Sequence, residues 1–345
     1  MDPHSPHITS TMQEKRVPSQ SPLRPLYLEY FTGQEKIIER LSILIQAAKK
    51  RKDPLGHTLF SGPPGLGKTT LAQILAREMG ANIVITSGPV LEKPGDLAGI
   101  LTKMQEGDVL FIDEIHRLSR NIEEYLYPAM EDFTIDLLID SGPNARSVPL
   151  SIPPFTLIGA TTKAGLLTKP LLTRFSQHMR LEYYPVAYLM TIALRTAETL
   201  CFSLDEKSAE AIAQRSRGTP RILNHLVHWV RDYAMIHHEG NVSFPVTEKA
   251  LEMLTIDEKG LDEMDKKILT VMLEHHNGGP VGLNTLASAV GEEPTTVAEV
   301  YEPFLVLQGL IRRTPRGREL THLAYQHLRA PSPSKKQNDC SGEIS

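Results

Sequence analysis

Residues 61–70 read SGPPGLGKTT, and Gly62 through Gly67, Lys68 and Thr69 fit the spacing G-x-x-x-x-G-K-[ST] of a phosphate-cradling loop. Glycines there let backbone N–H groups turn inward onto phosphate oxygens, and the helix that follows adds the positive end of its dipole. Gly65, Leu66, Gly67, Lys68, Thr69 and Thr70 are the candidate contacts. Lys68 can reach the β- and γ-phosphates of a nucleoside triphosphate such as ATP, and Thr69 can offer its hydroxyl to Mg²⁺. The apolar run Thr58–Phe60 leads in and the helical pattern Leu71–Ala76 leads out, which is the strand–loop–helix setting this chemistry needs.

Further along, Asp108-Val109-Leu110-Phe111-Ile112-Asp113-Glu114 is a buried-strand run ending in two carboxylates. Asp113 at its tip suits the Mg²⁺ shell, and Glu114 suits a general base that activates water. An acidic pair after a strand is equally a helix cap; a phosphate loop upstream favours the catalytic reading. Another strand, Phe155–Ala160, ends in Thr161-Thr162, where a hydroxyl can orient the attacking water or simply cap the strand. Arg174 and Arg221 follow, and residue type alone assigns neither.

Those pieces have to be held by ordered elements. Residues 23–184 alternate strand-like and helix-like patterns, which predicts an α/β unit with a parallel sheet covered on both faces. Residues 185–256 read as helices alone, a small lid. Residues 257–330 carry helical spacing over 262–276, 283–290 and 295–308, then a β-wing over 311–320 with Pro315 and Gly317 at its tip, the pattern of a winged helix. The segments 1–22 and 331–345 are polar and Pro/Ser-rich and read as disordered.

Composition is that of an ordinary globular chain: 41% hydrophobic, 23% charged, net charge −4. That balance excludes a protein coated with nucleic acid, so any DNA contact must be local. No stretch is apolar enough to span a membrane. Two distant cysteines, Cys201 and Cys340, fit a reducing, cytoplasmic setting better than a disulfide framework.

In this order, residues 62–70, Asp113–Glu114, Thr161, Arg174 and Arg221 resemble Walker A, Walker B, sensor 1, arginine finger and sensor 2 of an AAA+ ATPase. The stretches 86–102, 108–133, 153–165, 217–224, 278–287 and 313–318 resemble the RuvB family, the ATP-driven motor of Holliday-junction branch migration in recombination and DNA repair. The resemblance spans about residues 20–330. It implies ATP and Mg²⁺ as cofactors, a homo-hexamer around duplex DNA, a RuvA-like junction-binding partner and, by family analogy, a RuvC-like resolvase. It also implies that Leu23, Arg24 and Tyr184 lie at the nucleotide, that Glu131, Asp132 and Phe133 belong to the nucleotide site, and that Arg174 acts on a neighbouring subunit. The chain departs from the family pattern at Leu172, Ser176 and Pro294; the last stands where a basic residue is usual.

Two surface expectations complete the reading. In the winged helix, Glu299 and Glu302 on the third helix would repel DNA, whereas Arg312, Arg313, Arg316 and Arg318 crowd the wing. Arg313, Arg316 and Arg318 are therefore expected on phosphates rather than base edges. Residues 134–152 alternate apolar side chains on two arms (Ile135, Leu137, Ile139; Val148, Leu150, Ile152) about turn residues 141–144, a β-hairpin that the resemblance assigns to RuvA docking. Two other classes stay open: a clamp-loader-like AAA+ switch acting on a protein at DNA, and a DNA-binding module that uses ATP only structurally.

Overall fold

The computed structural model describes residues 23–138 and 147–330 of the chain. They fall into two compact units, one ending at Glu182 and the other starting at Tyr183.

The first unit is built on a five-stranded sheet: β1 (Thr58–Ser61), β2 (Ile83–Ser87), β3 (Val109–Asp113), β6 (Thr156–Thr161) and β7 (Gln177–Arg180). The strand order is β2-β3-β6-β1-β7, and every neighbouring pair is parallel. Parallel neighbours need crossover connections, which helices supply here. They are α2 (Lys68–Met79), α3 (Pro94–Leu101), α4 (Arg120–Glu131) and α5 (Lys169–Arg174), preceded by α1 (Glu35–Arg51). β3 and β6 are apolar almost throughout because helices cover both faces: Val109 through Ile112 and all of β6 are buried. α4 buries Ile122, Leu126, Ala129 and Met130 against Leu110, Ile112 and Leu157 of the sheet. Each Ile, Leu or Met side chain so withdrawn from water contributes about 1.5–3 kcal/mol.

Between α4 and β6 stands an antiparallel hairpin, β4 (Thr134–Leu138) and β5 (Ser147–Ser151), with Ile135 opposite Leu150 and Leu137 opposite Val148. Its base is anchored: Ile135 and Ile152 are buried in the core of the first unit. On the second arm, Val148 and Leu150 are exposed. The expected turn at 141–144, Ile139 and the side chain of Leu137 lie outside the described residues.

The second unit begins with four helices, α6 (Val186–Thr199), α7 (Glu206–Arg215), α8 (Pro220–His237) and α9 (Phe244–Met253). Pro220 at the first position of α8 is preorganised for the helix and loses no needed N–H. Then come α10 (Glu263–His276), α11 (Leu283–Val290), α12 (Pro294–Thr296), a π-helical turn (Val297–Tyr301), α13 (Glu302–Leu307) and a two-stranded wing, β8 (Ile311–Thr314) with β9 (Gly317–Leu320). α14 (His322–His327) packs onto a separate core of Leu261, Ile268, Leu269, Met272, Leu286 and Leu305. Two expectations are corrected. The third helix is not uniform, because a π turn interrupts it at 297–301. Gly317 belongs to β9 rather than to the wing tip, which is Pro315-Arg316.

Candidate active site and nucleic-acid interface

Because β1, β3 and β6 run parallel, their carboxyl ends share one edge of the sheet, where ligands of open α/β sheets bind. The phosphate loop follows β1, the Asp113–Glu114 pair ends β3, and Thr161-Thr162 ends β6.

The loop depends on its glycines. Gly62, Gly65 and Gly67 have φ of 136°, 82° and 103°, a region that residues bearing a Cβ rarely adopt. A Cβ on Gly62 would lie 2.5 Å from the Leu181 carbonyl oxygen. Lys68 is the first residue of α2, and its ammonium donates to the Gly62 and Pro63 carbonyls at 2.7 and 2.8 Å. Thr69 and Thr70 occupy the rest of that first turn, partly exposed.

Asp113 Oδ1 accepts from the Glu114 N–H at 3.0 Å. Glu114 itself has φ 48°, a left-handed conformation that turns the chain sharply after the strand. Its carboxylate takes a hydrogen bond from Thr162 Oγ1 at 3.1 Å and stands 3.1 Å from His116 Nδ1. Thr161 is fully buried; its Oγ1 pairs with His116 Nδ1 at 2.9 Å and accepts from the Lys163 N–H at 3.0 Å. The expectation that Thr161 faces the water is therefore corrected: Thr162 touches the candidate base directly, and Thr161 reaches it only through His116. The sequence offered Thr161-Thr162 as a pair, of which the resemblance chose Thr161, and it did not single out His116.

A hard cation held by one carboxylate, a hydroxyl and phosphate oxygens suits Thr69 and Asp113, because Mg²⁺ favours few protein ligands. Among the described residues no cluster of three or more His, Cys, Asp or Glu is placed to cage a metal.

The amino-terminal segment meets the same helix. Leu23 is half-buried and Arg24 exposed. Shortly after them, the Leu28 N–H donates to Glu78 at 3.4 Å and Tyr27 lies under Arg77, both in the last turn of α2.

Arg174 ends α5, and α4 holds it. Its Nη2 donates to Glu131 Oε2 at 3.0 Å, its Nη1 donates to the Pro170 carbonyl at 2.8 Å, and the guanidinium stacks 4.2 Å from the Tyr127 ring centre. The buried Glu123 braces this cradle by accepting from Thr168 Oγ1 at 2.6 Å and the Tyr127 hydroxyl at 3.3 Å. Glu131 and Asp132 are exposed beside it, while Phe133 turns its ring onto Phe155, 6.1 Å between centres, and leans on the core. Of the departures from the family pattern, Leu172 packs on the core of this unit and Ser176 donates to the His57 carbonyl at 3.0 Å. In the second unit, Tyr184 is buried with its N–H on the Gly218 carbonyl at 2.9 Å, and Arg221 is exposed in the first turn of α8.

On the winged helix, Glu302 is 2% exposed, so it does not stand where it could repel DNA. It accepts from Arg313 Nε at 2.7 Å and from Arg318 Nε and Nη2 at 3.0 Å each. Burial raises its pKa, but these bonds, from Arg318 and then Arg313, outweigh that and leave it below the usual carboxylate range. Arg318, with both ends engaged and mostly buried, braces the wing. Arg313 stays largely exposed and Arg316 is exposed at the tip. Pro294 begins α12, where its missing N–H costs nothing.

Three family models match the chain: "Holliday junction DNA helicase RuvB P-loop domain" over residues 23–181, "RuvB AAA lid domain" over 184–257 and "RuvB C-terminal winged helix domain" over 258–329. A protein of Protochlamydia amoebophila named Holliday junction branch migration complex subunit RuvB is 59% identical over 321 residues, 93% of this chain and 97% of that one. A protein of the same name from Flavobacterium psychrophilum is 58% identical over 306 residues, 89% and 90% of the two chains. The solved structure of the Thermotoga maritima RuvB Holliday junction branch migration motor superposes with a TM-score of 0.81 at 48% identity, covering 91% of this chain and all of that one.

Proposed function

The chain belongs to the RuvB family, and from that premise we propose that it is an AAA+ ATPase that drives duplex DNA through Holliday junctions during recombination and repair. The observation that carries this is the shared carboxyl edge of β1, β3 and β6, which gathers a phosphate loop, an acidic pair and a threonine that touches it, in a chain that also ends in a winged helix.

ATP binds on the loop, with Leu23, Arg24 and Tyr184 assigned to its nucleoside end and Lys68 and Arg221 to its phosphates. Thr69 and Asp113 fit Mg²⁺, which when bound would screen the charge of the β- and γ-phosphates. Glu114 takes the proton of the attacking water, oriented by Thr162 and His116. We assign Arg174, with Glu131 and Asp132 beside it, to the nucleotide of a neighbouring subunit, which makes a ring obligatory and a hexamer the family-based expectation. An arginine supplied from another subunit is worth roughly 10³–10⁵ in rate in related phosphoryl transfers. Arg313 and Arg316 meet DNA phosphates, and the 134–152 hairpin docks a RuvA-like partner, with a RuvC-like resolvase acting on the same junctions. We place the protein in the cytoplasm; no helix among the described residues is long and apolar enough to cross a membrane.

The test is branch migration of a synthetic four-way junction with ATP and Mg²⁺, with and without a RuvA-like protein. ATP-dependent migration supports the reading. Hydrolysis without migration, together with ATP-driven remodelling of a protein ring on DNA, would favour the clamp-loader-like alternative.

A further inference from the structure

Arg217 lies in the turn between α7 and α8, four residues before Arg221, with φ 54° in the left-handed region. Such a backbone is costly for a residue with a Cβ, and it persists where surroundings over-determine it. The surroundings here belong to the winged helix. Arg217 Nη2 lies 2.7 Å from Asp262 Oδ2 and 2.6 Å from Asp265 Oδ2, and its Nε donates to the Gly260 carbonyl at 3.0 Å. The guanidinium rests 4.7 Å from the ring centre of Phe304.

The two aspartates are the reciprocal cap of α10: the Asp265 N–H donates to Asp262 and the Asp262 N–H to Asp265. The Asp265 side chain is fully buried. Phe304 sits on α13, two residues from the Glu302 that braces Arg313 and Arg318 of the wing. One side chain thus grips the linker at Gly260, the start of α10 and the helix behind the wing. At its backbone end, the next residue, Gly218, accepts from the Tyr184 N–H at 2.9 Å. Charge-assisted bonds converging on a buried carboxylate resist rearrangement far better than an exposed ion pair does.

We infer that Arg217 is a positioning residue that locks the DNA-binding winged helix to the α7–α8 turn, so that displacement of the Tyr184–Arg221 segment during the ATP cycle is passed to the wing without slack. This rests on the motor reading above. Losing the lock leaves hydrolysis and DNA binding in place but lets the winged helix lag. Lysine is not an adequate replacement, since one ammonium cannot reach both aspartates and the Gly260 carbonyl while stacking on Phe304.

The test compares native full-length chain with Arg217→Gln, Arg217→Lys and Asp262→Asn. Three quantities are read: ATP turnover without DNA, affinity for duplex DNA at fixed salt, and junctions migrated per ATP hydrolysed. The expected result for Arg217→Gln is near-native turnover and DNA affinity, with migration per ATP lowered about tenfold, the scale of coupling that residues between two sites carry. Arg217→Lys should recover part of that loss. Asp262→Asn keeps an equivalent helix cap and removes one partner charge, so it should fold and show a smaller loss. Native migration per ATP in Arg217→Gln overturns the inference, as does a loss that merely follows DNA affinity. If Arg217→Gln does not fold, a folded Asp262→Asn with native coupling overturns it as well. Failure of the native chain to migrate junctions would refute the motor reading, a separate outcome.

Discussion

Arg174 Nη2 stands 3.0 Å from Glu131 Oε2 of the same chain, and together they form an ion pair at the meeting of α4 and α5, the arginine mostly buried and the carboxylate exposed. Assigned to a neighbour's nucleotide, the pair gives a specific expectation for mixed assemblies. Arg174→Ala subunits should bind ATP and enter rings, and added to native protein they should lower hydrolysis faster than their fraction, because each also disables its neighbour's site. Hydrolysis that falls only in proportion would place the arginine in its own subunit's site.

Lys68→Ala should abolish ATP binding, whereas Glu114→Gln should bind ATP and lower turnover about 10²–10⁴-fold, the worth of a general base. Nucleotide binding and phosphate release, measured side by side, separate the two. A Glu114→Gln enzyme of near-native rate would remove Glu114 from the base role.

Thr162→Val should reduce turnover with little effect on ATP affinity, because it removes the hydrogen bond to Glu114 and leaves the loop alone. Turnover equal to the native enzyme's would mean that the contact does not orient the base.

The wing arginines should separate by role. Arg316→Ala should lower the salt dependence of DNA binding by roughly one unit of slope, equally for all sequences. Arg318→Ala should instead cost the winged helix about 3 kcal/mol of stability, because the buried Glu302 keeps its bond from Arg313 but loses both bonds from Arg318. Thermal melts beside binding titrations across salt distinguish these; an unchanged melt for Arg318→Ala would return it to the DNA surface.

Glu302 also predicts a pH effect. Its folded pKa lies below its unfolded value, so its contribution to stability is present above the ordinary carboxylate range and fades as the pH falls through the folded value. Urea melts between neutral pH and about pH 3 should show the winged helix weakening at the acid end, and Glu302→Gln should flatten that slope. A slope unaltered by the substitution would assign it to other carboxylates.

The sequence exposed what is written in local patterns. The phosphate loop, the β3 acidic pair and the α11 boundaries at Leu283 and Val290 followed from spacing and apolar runs. Which threonine faces Glu114 did not, because β6 is buried on both faces and offers no alternation to read. Glu302 looked like a charge aimed at DNA because its partners lie 11 and 16 residues away, on the wing. His116 follows the acidic pair in a short 3-10 turn, and nothing local says that its ring reaches across to Thr161.

The close approach of Gly62 to the Leu181 carbonyl has a consequence for how the chain can vary. The same strip of backbone floors the catalytic loop and starts the exit from the sheet, since Leu181 also donates its N–H to the Ser61 carbonyl at 2.8 Å. The loop's first residue therefore works as a bearing surface: a single added methyl would press at once on the pocket and on the strap leaving it. Leu181 is itself fully buried, so packing fixes its side chain while this backbone contact fixes Gly62, and both neighbours should resist substitution, each for its own reason.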